Sequence, residues 1–384
     1  MKIAFISLMN DAPWGGSEIL WSKTAALALA AGHEVLITAY RWPEPAPALR
    51  ELVAAGATLF YRTAYSPQLH KRLVRRVARQ FQPLSAELRN IQAFEPDLVF
   101  VNQGGHNDII HKEDIWAWLT ADAVPYVIIC HLYKDPHQMS EGERAATLAV
   151  YTHARAVLTI SAMQTEVLRR QLASPLPNAH VVQNPLNLPA HMPMPYPAAG
   201  PAQLAVVASL DADRKGHDVL LQVLSGPQWV GRDWQLNFYG KGRDHAYLER
   251  LAAYYGLAGR VVFRGHVADS AEIWRTNHLL LIPSRIESGP MVLVEAMLSG
   301  RPVVSTTVGL VPDWLADGQT GFLAEASLPE SLARTLERAW HARAEWPAMG
   351  QRAYEHARQQ VQPDPAATLL ALLLAAARPA NARA

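Results

Sequence analysis

Short apolar runs alternate with amphipathic stretches along nearly the whole chain. In the first half the apolar runs predict strands at 2–8, 33–40, 57–61, 97–102, 126–131, 156–161 and 180–185. The stretches between them predict helices around 17–31, 46–55, 68–93, 113–121 and 162–172. Because strand and helix alternate and the strands are apolar throughout, the pattern predicts a parallel sheet that is covered on both faces.

A proline-rich stretch interrupts this alternation. Six prolines lie between Asn184 and Ala202, which excludes regular structure and predicts a linker at 186–201. The alternation then resumes, with strands predicted at 203–210, 235–240, 261–265, 278–284 and 301–306. We therefore expect two doubly wound α/β domains, at 1–185 and 202–355, followed by a last helix at about 356–378. Two such domains imply a cleft between the ligand-binding edges of their sheets.

Composition limits the function classes. The 384 residues carry a formal net charge of +1, which argues against binding of nucleic acid through bulk electrostatics. The single cysteine, Cys130, cannot form an internal disulfide and fits a reducing cytoplasm as a small core residue. The N-terminus lacks a signal-peptide pattern, and the apolar run 369–377 is too short to span a bilayer. We expect a cytoplasmic protein.

Two loops that follow predicted strands contain candidate anion-binding residues. Gly15 and Gly16 precede a helix for which Ser17 is a good N-cap, so this loop is either an oxyanion or sugar seat or an ordinary tight turn. In the second half, Lys215 lies at a helix entrance and either pairs with a diphosphate or is a solvated surface lysine. The neighbouring Asp211-Ala212-Asp213 resembles a metal-binding motif, but no other carboxylate or histidine cluster joins it, so no metal is expected.

The stretch SRIESGPMVLVEAM (284–297) holds Glu287 and Glu295 on either side of an apolar run. Pro290 suits the first helical position, so the helix is expected to begin near Ser288 or Gly289. Its free N–H groups can seat a diphosphate, while the two carboxylates accept paired hydrogen bonds from the vicinal hydroxyls of ribose and hexose. This arrangement predicts a nucleotide-sugar site.

Several motifs occur together in a family order. They are GGSE (15–18), the histidine that ends YVIICH (126–131), the KG of DRKGHD (213–218), FYGKGRD (238–244), the E-x7-E segment ESGPMVLVE (287–295), EAMLSGRPVVSTTVG (295–309) and DGQTGFLAE (317–325). The ordered set resembles the retaining glycosyltransferases of the GT-B fold, group 1 (glycosyltransferase family 4). The resemblance implies two Rossmann-like domains that face each other across a cleft, with the last helix packing back on the first domain.

The resemblance also implies roles for individual residues. Glu287, Lys215 and His131 would be the catalytic residues. A UDP- or GDP-sugar would be the donor, a carbohydrate or lipid-linked molecule the acceptor, and no metal would be required. The implied donor-binding residues are Gly15, Gly16, Ser209, Arg214, Lys215, Gly240, Lys241, Arg285, Glu287, Ser288, Gly289, Pro290, Met291 and Glu295.

One position departs from the family pattern. Where the family has Gly-Arg-Leu after the first strand of the second domain, this chain has Ala208-Ser209-Leu210, so half of the expected diphosphate clamp is missing. Arg214, Arg243 and Arg285 are candidates to replace it. If none does, the protein binds nucleotide sugar weakly, uses a different donor, or is a non-catalytic GT-B protein that binds nucleotide sugar or glycan as a regulatory or assembly module. A GT-B epimerase fits the E-x7-E segment less well.

Two further features concern partners. The segment 69–81 is basic and amphipathic. It is either a helix that lies on the anionic inner face of a membrane or a helix with a solvated basic face. Flotation with anionic vesicles at low salt distinguishes the two. Tryptophans crowd the first domain and either stack on sugar rings or pack in the core. They are Trp14, Trp21, Trp116 and Trp118.

Overall fold

The chain forms two compact units in a computed structural model that describes residues 1–10, 13–62, 84–133, 139–186, 188 and 193–378. The N-terminal unit comprises Met1–Pro185 together with the chain from Gln362 onward, and the C-terminal unit comprises Leu186–Val361. Each unit contains one parallel sheet flanked by helices.

The N-terminal unit is built on a seven-stranded sheet in the order β3-β2-β1-β4-β5-β6-β7, in which every pair is parallel. Its strands are β1 Lys2–Ser7, β2 Glu34–Tyr40, β3 Thr58–Arg62, β4 Leu98–Gln103, β5 Tyr126–Cys130, β6 Ala156–Thr159 and β7 Ala179–Val181. The helices before the linker are α1 Gly16–Ala30, α2 Pro47–Ala54, α3 Ala86–Phe94, α4 Glu113–Thr120, α5 Glu141–His153 and α6 Ala162–Leu172. All seven strand predictions for this half are confirmed within a few residues, and five of the strands, all except the edge strands β3 and β7, are largely buried on both faces.

One helix of this unit was not predicted. Helix α5 carries a capping box, in which Ser140 Oγ accepts from the Glu143 backbone N–H (3.3 Å) and the Glu143 carboxylate accepts from the Ser140 N–H (2.8 Å). This local signature marks the start of a helix and could have located α5 from the sequence. Of the basic helix expected at 68–93, the described part is α3, which Ser85 caps at Leu88 N. The membrane hypothesis for 69–81 lies outside the described residues and stays a prediction.

The C-terminal unit has a six-stranded parallel sheet in the order β10-β9-β8-β11-β12-β13. Its strands are β8 Ala202–Val207, β9 Trp234–Tyr239, β10 Val261–Gly265, β11 Leu279–Ile282, β12 Val303–Thr306 and β13 Gly321–Ala324. Its helices are α7 Ala212–Lys215, α8 His217–Leu224, α9 His245–Tyr254, α10 Ser270–Thr276, α11 Met291–Leu298, α12 Val311–Trp314, α13 Pro329–His341 and α14 Trp346–Gln360. Strand β13 was not predicted.

The last helix differs from the single helix expected at 356–378. Helix α14 ends at Gln360, and a separate helix, α15 (Pro365–Ala376), begins after Pro363 and is capped by Asp364 at Ala367 N (3.0 Å). Two prolines within three residues remove backbone donors and exclude a continuous helix. Helix α15 belongs to the N-terminal unit, where Thr24 Oγ1 of α1 donates to the Ala366 carbonyl (3.2 Å).

The described part of the proline-rich stretch is fixed to the C-terminal unit by Arg301. This guanidinium is fully buried and donates to backbone carbonyls of Met194 (3.2 Å) and Pro195 (2.7 Å) in the stretch, and to that of Trp274 (2.9 Å from Nε) at the end of α10. Burial lowers the pKa of Arg301 to about 10, so it remains charged at neutral pH. One side chain therefore satisfies carbonyls that neither helix nor sheet can pair.

Replacing Arg301 with Met should destabilise the C-terminal unit by about 3 kcal/mol or more, because several buried carbonyls lose their donor at once. Hydrogen exchange of the β11 and β12 amides measures this free energy of opening. The matched control is Arg338→Met, whose ion pair with Asp317 is half-exposed (2.9 Å) and whose loss should change stability by less than about 1 kcal/mol. Equal exchange in the two variants would contradict the role given to Arg301.

Candidate functional site

The C-terminal sheet reverses its strand order between β8 and β11, so the loops after these strands leave the same edge in opposite directions. Ligands of doubly wound sheets bind at this point. The two loops bring two predicted catalytic residues together: Lys215 Nζ lies 2.5 Å from Glu287 Oε1, and Ser284 Oγ donates to the same oxygen (3.0 Å). Both charged side chains are mostly buried.

Gly216 allows this close approach of the two loops. It has φ +65°, and a Cβ at this position would lie 2.0 Å from the Pro283 carbonyl oxygen. Only glycine combines that backbone conformation with that contact. The loop of Lys215 therefore packs backbone to backbone against the end of β11, which sets the position of the lysine beside Glu287.

The helix after Glu287 begins later than predicted. Pro290 is the N-cap with a non-helical ψ of 94°, its carbonyl accepts from Leu293 N (2.9 Å), and the first helical residue is Met291. The expected start near Ser288 or Gly289 is therefore wrong, because Pro290 keeps an extended conformation. Glu295 does lie in the second turn of α11, as predicted, and its side chain is buried at 8% exposure.

The three candidate replacements for the missing arginine all have carboxylate partners. Arg214 Nε (2.8 Å) and Arg243 Nη2 (3.2 Å) both contact Asp211, and Arg285 forms a two-bond pair with Asp218 (2.9 and 2.8 Å). Burial by itself would raise the pKa of Asp211 and of Asp218. The hydrogen bonds and charges of the arginines outweigh burial, so the pKa of each carboxyl is lowered. These carboxylates are thus ionised and hold the arginines.

The same contacts bear on the metal-like motif Asp211-Ala212-Asp213. The Asp211 carboxylate forms ion pairs with two arginines and also accepts the N-cap hydrogen bond of α7. Within the described ranges, no group of three or more His, Cys, Asp or Glu side chains could hold a metal ion.

The loop after β9 supplies a second cation at this edge. Gly240 has φ +140°, and a Cβ there would lie 1.9 Å from the Ala208 carbonyl, so the loop lies directly on the segment that contains Ser209. Ser209 is exposed, and so is Lys241, for which the described part of the chain provides no ion-pair partner. Lys215 and Lys241 are therefore the two lysines at the carboxyl ends of β8 and β9.

In the N-terminal unit, the third predicted catalytic residue ends a chain of buried polar groups. His131 follows β5, and its Nε2 lies 2.8 Å from Asn102 Oδ1 at the end of β4. The Asn102 amide donates in turn to Glu18 Oε1 (2.8 Å), whose other oxygen accepts from Ser7 Oγ and Trp21 Nε1 (2.9 Å each). Apart from the half-buried His131, all members of the chain are buried.

These contacts set the protonation of the imidazole. Because the Asn102 amide nitrogen faces Glu18, its oxygen faces His131, so Nε2 carries the ring proton and Nδ1 keeps its lone pair. Burial lowers the pKa of His131 to about 3, and the ring is neutral at pH 7. Burial raises the pKa of Glu18, although its three donors and the charge of Arg62 oppose the shift.

The glycine loop before this network differs from the prediction in one detail. Helix α1 begins at Gly16, and Gly15 rather than Ser17 is the N-cap, since its carbonyl already accepts from Glu18 N (3.0 Å). Trp21 is in the core against Phe5, and the half-buried Trp14 packs on it at 6.0 Å. Of the two alternatives given for the tryptophans, Trp21 therefore packs in the core.

Trp116 and Trp118 are partly buried against the core of the N-terminal unit. Cys130 is a free, fully buried thiol, as expected. None of the helices in the described ranges has the length and apolar character that crossing a membrane requires.

The motif GGSE contains Glu18, but the roles of Ser7, Glu18 and Asn102 were not predicted from the sequence. A signal was present: Ser7 and Asn102 are polar residues at the ends of two apolar strands, which predicts that they meet at one edge if those strands pair. That β1 and β4 are neighbours is a tertiary fact. The partner of both, Glu18, lies on α1 and cannot be assigned from spacing.

Comparison with known proteins finds a family match within the second half of the chain. Residues 201–342 match the family Glycosyl transferases group 1. A D-inositol 3-phosphate glycosyltransferase of Streptomyces avermitilis is 41% identical over 91 residues, which are 23% of this chain and 20% of that protein. The protein of the same name from Corynebacterium efficiens is 28% identical over 235 residues, 60% of this chain and 49% of its own length. The chain thus matches between a fifth and a half of these relatives.

Solved structures extend the likeness to both units. Anabaena HepE in complex with UDP superposes with a TM-score of 0.74 at 18% identity, over 98% of this chain and 100% of that one. At that identity the likeness shows the fold. Residues 201–342 therefore match the group 1 glycosyl transferases, and the chain has the GT-B fold, with one Rossmann-like sheet in each unit.

Proposed function

We propose that the protein is a retaining glycosyltransferase that moves a sugar from a nucleotide-sugar donor to an acceptor held by the N-terminal unit. The observation that carries the proposal is the contact between Lys215 and Glu287 at the strand-order reversal of the group 1 domain. A mostly buried lysine and glutamate at a ligand-binding edge supply a cation for phosphate and an acceptor for sugar hydroxyls.

The donor is proposed to bind to the C-terminal unit alone. Its diphosphate would accept hydrogen bonds from the N–H groups at the start of α11. The positive charges of Lys215 and Lys241 would neutralise part of its negative charge. Glu295 would bind the ribose hydroxyls, and Glu287 those of the transferred sugar. HepE was crystallised with UDP and with UDP-glucose, which supports a UDP-sugar ahead of a GDP-sugar.

The chemistry proposed is attack on the face from which the nucleotide departs. The bond from the anomeric carbon to the diphosphate oxygen breaks, and the acceptor oxygen bonds to the same face. The acceptor proton passes to the leaving phosphate, so no protein base is needed. Lys215 and the N–H groups stabilise the charge that develops on the diphosphate, and neutral His131 would provide a polar contact to the acceptor that the N-terminal unit holds.

A second candidate function is a non-catalytic module that binds nucleotide sugar. It is favoured by Ser209, which stands in place of the family's arginine, and by the engagement of Arg214, Arg243 and Arg285 with carboxylates. Lys241 supplies part of the missing positive charge, because it is an exposed cation at the end of the neighbouring strand, β9.

Nucleotide release from a panel of UDP-, GDP- and ADP-sugars separates the two functions. We expect release with one base, and we expect Glu295→Ala to weaken donor binding on the order of tenfold, since a charged hydrogen-bond acceptor for ribose is lost. Calorimetry with the nucleotide measures the binding, and Glu272→Ala, an exposed glutamate of the same unit, is the control. Tight binding without turnover by any acceptor would establish the module instead.

A further inference from the structure

The N-terminal unit contains a second charged cluster, which the proposed reaction does not use. Arg62 ends β3 at the carboxyl edge of the sheet and is 6% exposed. Its Nη1 donates to Thr38 Oγ1 (2.9 Å) and to Glu87 Oε1, and its guanidinium carbon lies 4.2 Å from the centre of the Tyr40 ring. One nitrogen and one face of the guanidinium are thus satisfied within the protein.

The opposite edge of the same guanidinium has no partner. Nε and Nη2 of Arg62 are both buried, and neither has a hydrogen-bond acceptor among the residues that the structure describes. These two nitrogens point parallel N–H groups in one direction, the geometry that pairs with two oxygens of a carboxylate or phosphate. Buried donors without a partner are rare in native proteins and call for an unseen acceptor.

The surrounding charges also favour an anion. Lys112 Nζ lies 3.2 Å from Glu87 Oε2 and 5.4 Å from the Tyr40 ring, so two cations share one carboxylate. Burial raises the pKa of Glu87, but the charges of Arg62 and Lys112 outweigh it and lower the pKa. Glu18 also interacts with the charge of Arg62, but both of its oxygens already accept hydrogen bonds within the His131 network. The cluster therefore keeps an excess positive charge.

We propose that the Nε–Nη2 edge of Arg62, assisted by Lys112, binds an oxyanion, either a carboxylate or a phosphate group. The site lies at the carboxyl ends of β2 and β3, where ligands of parallel sheets bind. In assigning this anion to the acceptor, the inference rests on the proposed function.

The position of the site constrains the ligand. Strand β3 is four strand positions from β5, which precedes His131, and this corresponds to roughly 19 Å between the two backbones. An acceptor that reacts near His131 would therefore carry its anionic group at a distance from the reacting hydroxyl. This geometry fits an extended acceptor of several units better than a single sugar.

Direct binding of small anions tests the inference without a donor or turnover. The full-length protein is titrated with inorganic phosphate and, separately, with acetate at constant ionic strength by calorimetry. We expect Arg62→Lys to weaken binding on the order of tenfold, because lysine keeps the charge but loses the parallel N–H pair. The anion that binds more tightly identifies phosphate or carboxylate as the ligand group. Arg41→Lys is the matched control, as an exposed arginine at the end of β2, and should bind as the wild type does.

Two more variants separate the Arg62 site from the donor site and from a loss of folding. Phosphate can also bind the proposed donor site, so Lys215→Met should retain only the part of the anion binding that Arg62→Lys loses. Unchanged binding in a folded Arg62→Lys, with the loss confined to Lys215→Met or absent from both, would overturn the inference. If Arg62→Lys fails to fold by circular dichroism, Lys112→Gln decides, because it changes a partly exposed side chain. Unchanged binding in Lys112→Gln in that case, or no binding of either anion to the wild type, would also overturn the inference and leave the donor-site proposal untouched.

Discussion

Replacing Lys215 with Met should lower kcat/KM for sugar transfer on the order of a hundred- to a thousandfold. Removing one preorganised group that stabilises developing charge costs this much in other enzymes. The loss should be severe here because the three candidate arginines are held by Asp211 and Asp218, so no arginine takes over from the lysine. Initial rates of nucleotide release, measured with the donor found in the panel, give the value.

The controls for this prediction separate charge from structure. Lys215→Arg keeps a cation beside Glu287 and should recover part of the rate, whereas Lys23→Met changes an exposed lysine of α1 and should have no effect. Glu287→Gln removes the partner of Lys215 and should also reduce kcat, because the amide binds sugar hydroxyls less strongly than a carboxylate. A Lys215→Met enzyme within threefold of the wild-type rate would remove the lysine from the mechanism.

Replacing Asn102 with Leu should lower kcat on the order of a hundredfold, with little change in the affinity for the nucleotide. Asn102 holds His131 through Nε2 and is itself fixed by Glu18, so its loss frees both the ring orientation and the tautomer. Misplacement of a contact by about 1 Å can cost this much in rate. His131→Ala should have the same effect on kcat, and the double variant should be no worse than either single one.

A spectroscopic readout separates positioning from simple destabilisation. Nitrogen-15 spectra of the imidazole should show the wild-type His131 protonated at Nε2 and neutral from pH 5 to 8, because its pKa is about 3. In Asn102→Leu the two tautomers should mix. Asn90→Leu, on the exposed face of α3, is the control. If the His131 signals were identical in wild type and Asn102→Leu, Asn102 would not be a positioning residue.

The sequence itself determined the layered fold. Apolar runs that are buried on both faces need no partner to be recognised as strands, and their alternation with helices implies parallel pairing. The E-x7-E segment, the lysine of DRKGHD and the histidine of YVIICH were likewise recognised from the sequence alone, as motifs in their family order. The start of α11 was misplaced by a few residues, because Pro290 is compatible with both an N-cap and a first helical position.

Only the tertiary structure decided which charges meet. Lys215 and Glu287 are 72 residues apart and touch because two loops leave one sheet edge, and Gly216 lets their backbones approach. The pairing of the three arginines, the Glu18–Asn102–His131 chain and the unpaired edge of Arg62 have the same origin. A hydrogen bond or ion pair depends on distances of about 3 Å between atoms, and residues distant in sequence reach such distances only through the packing of the whole unit.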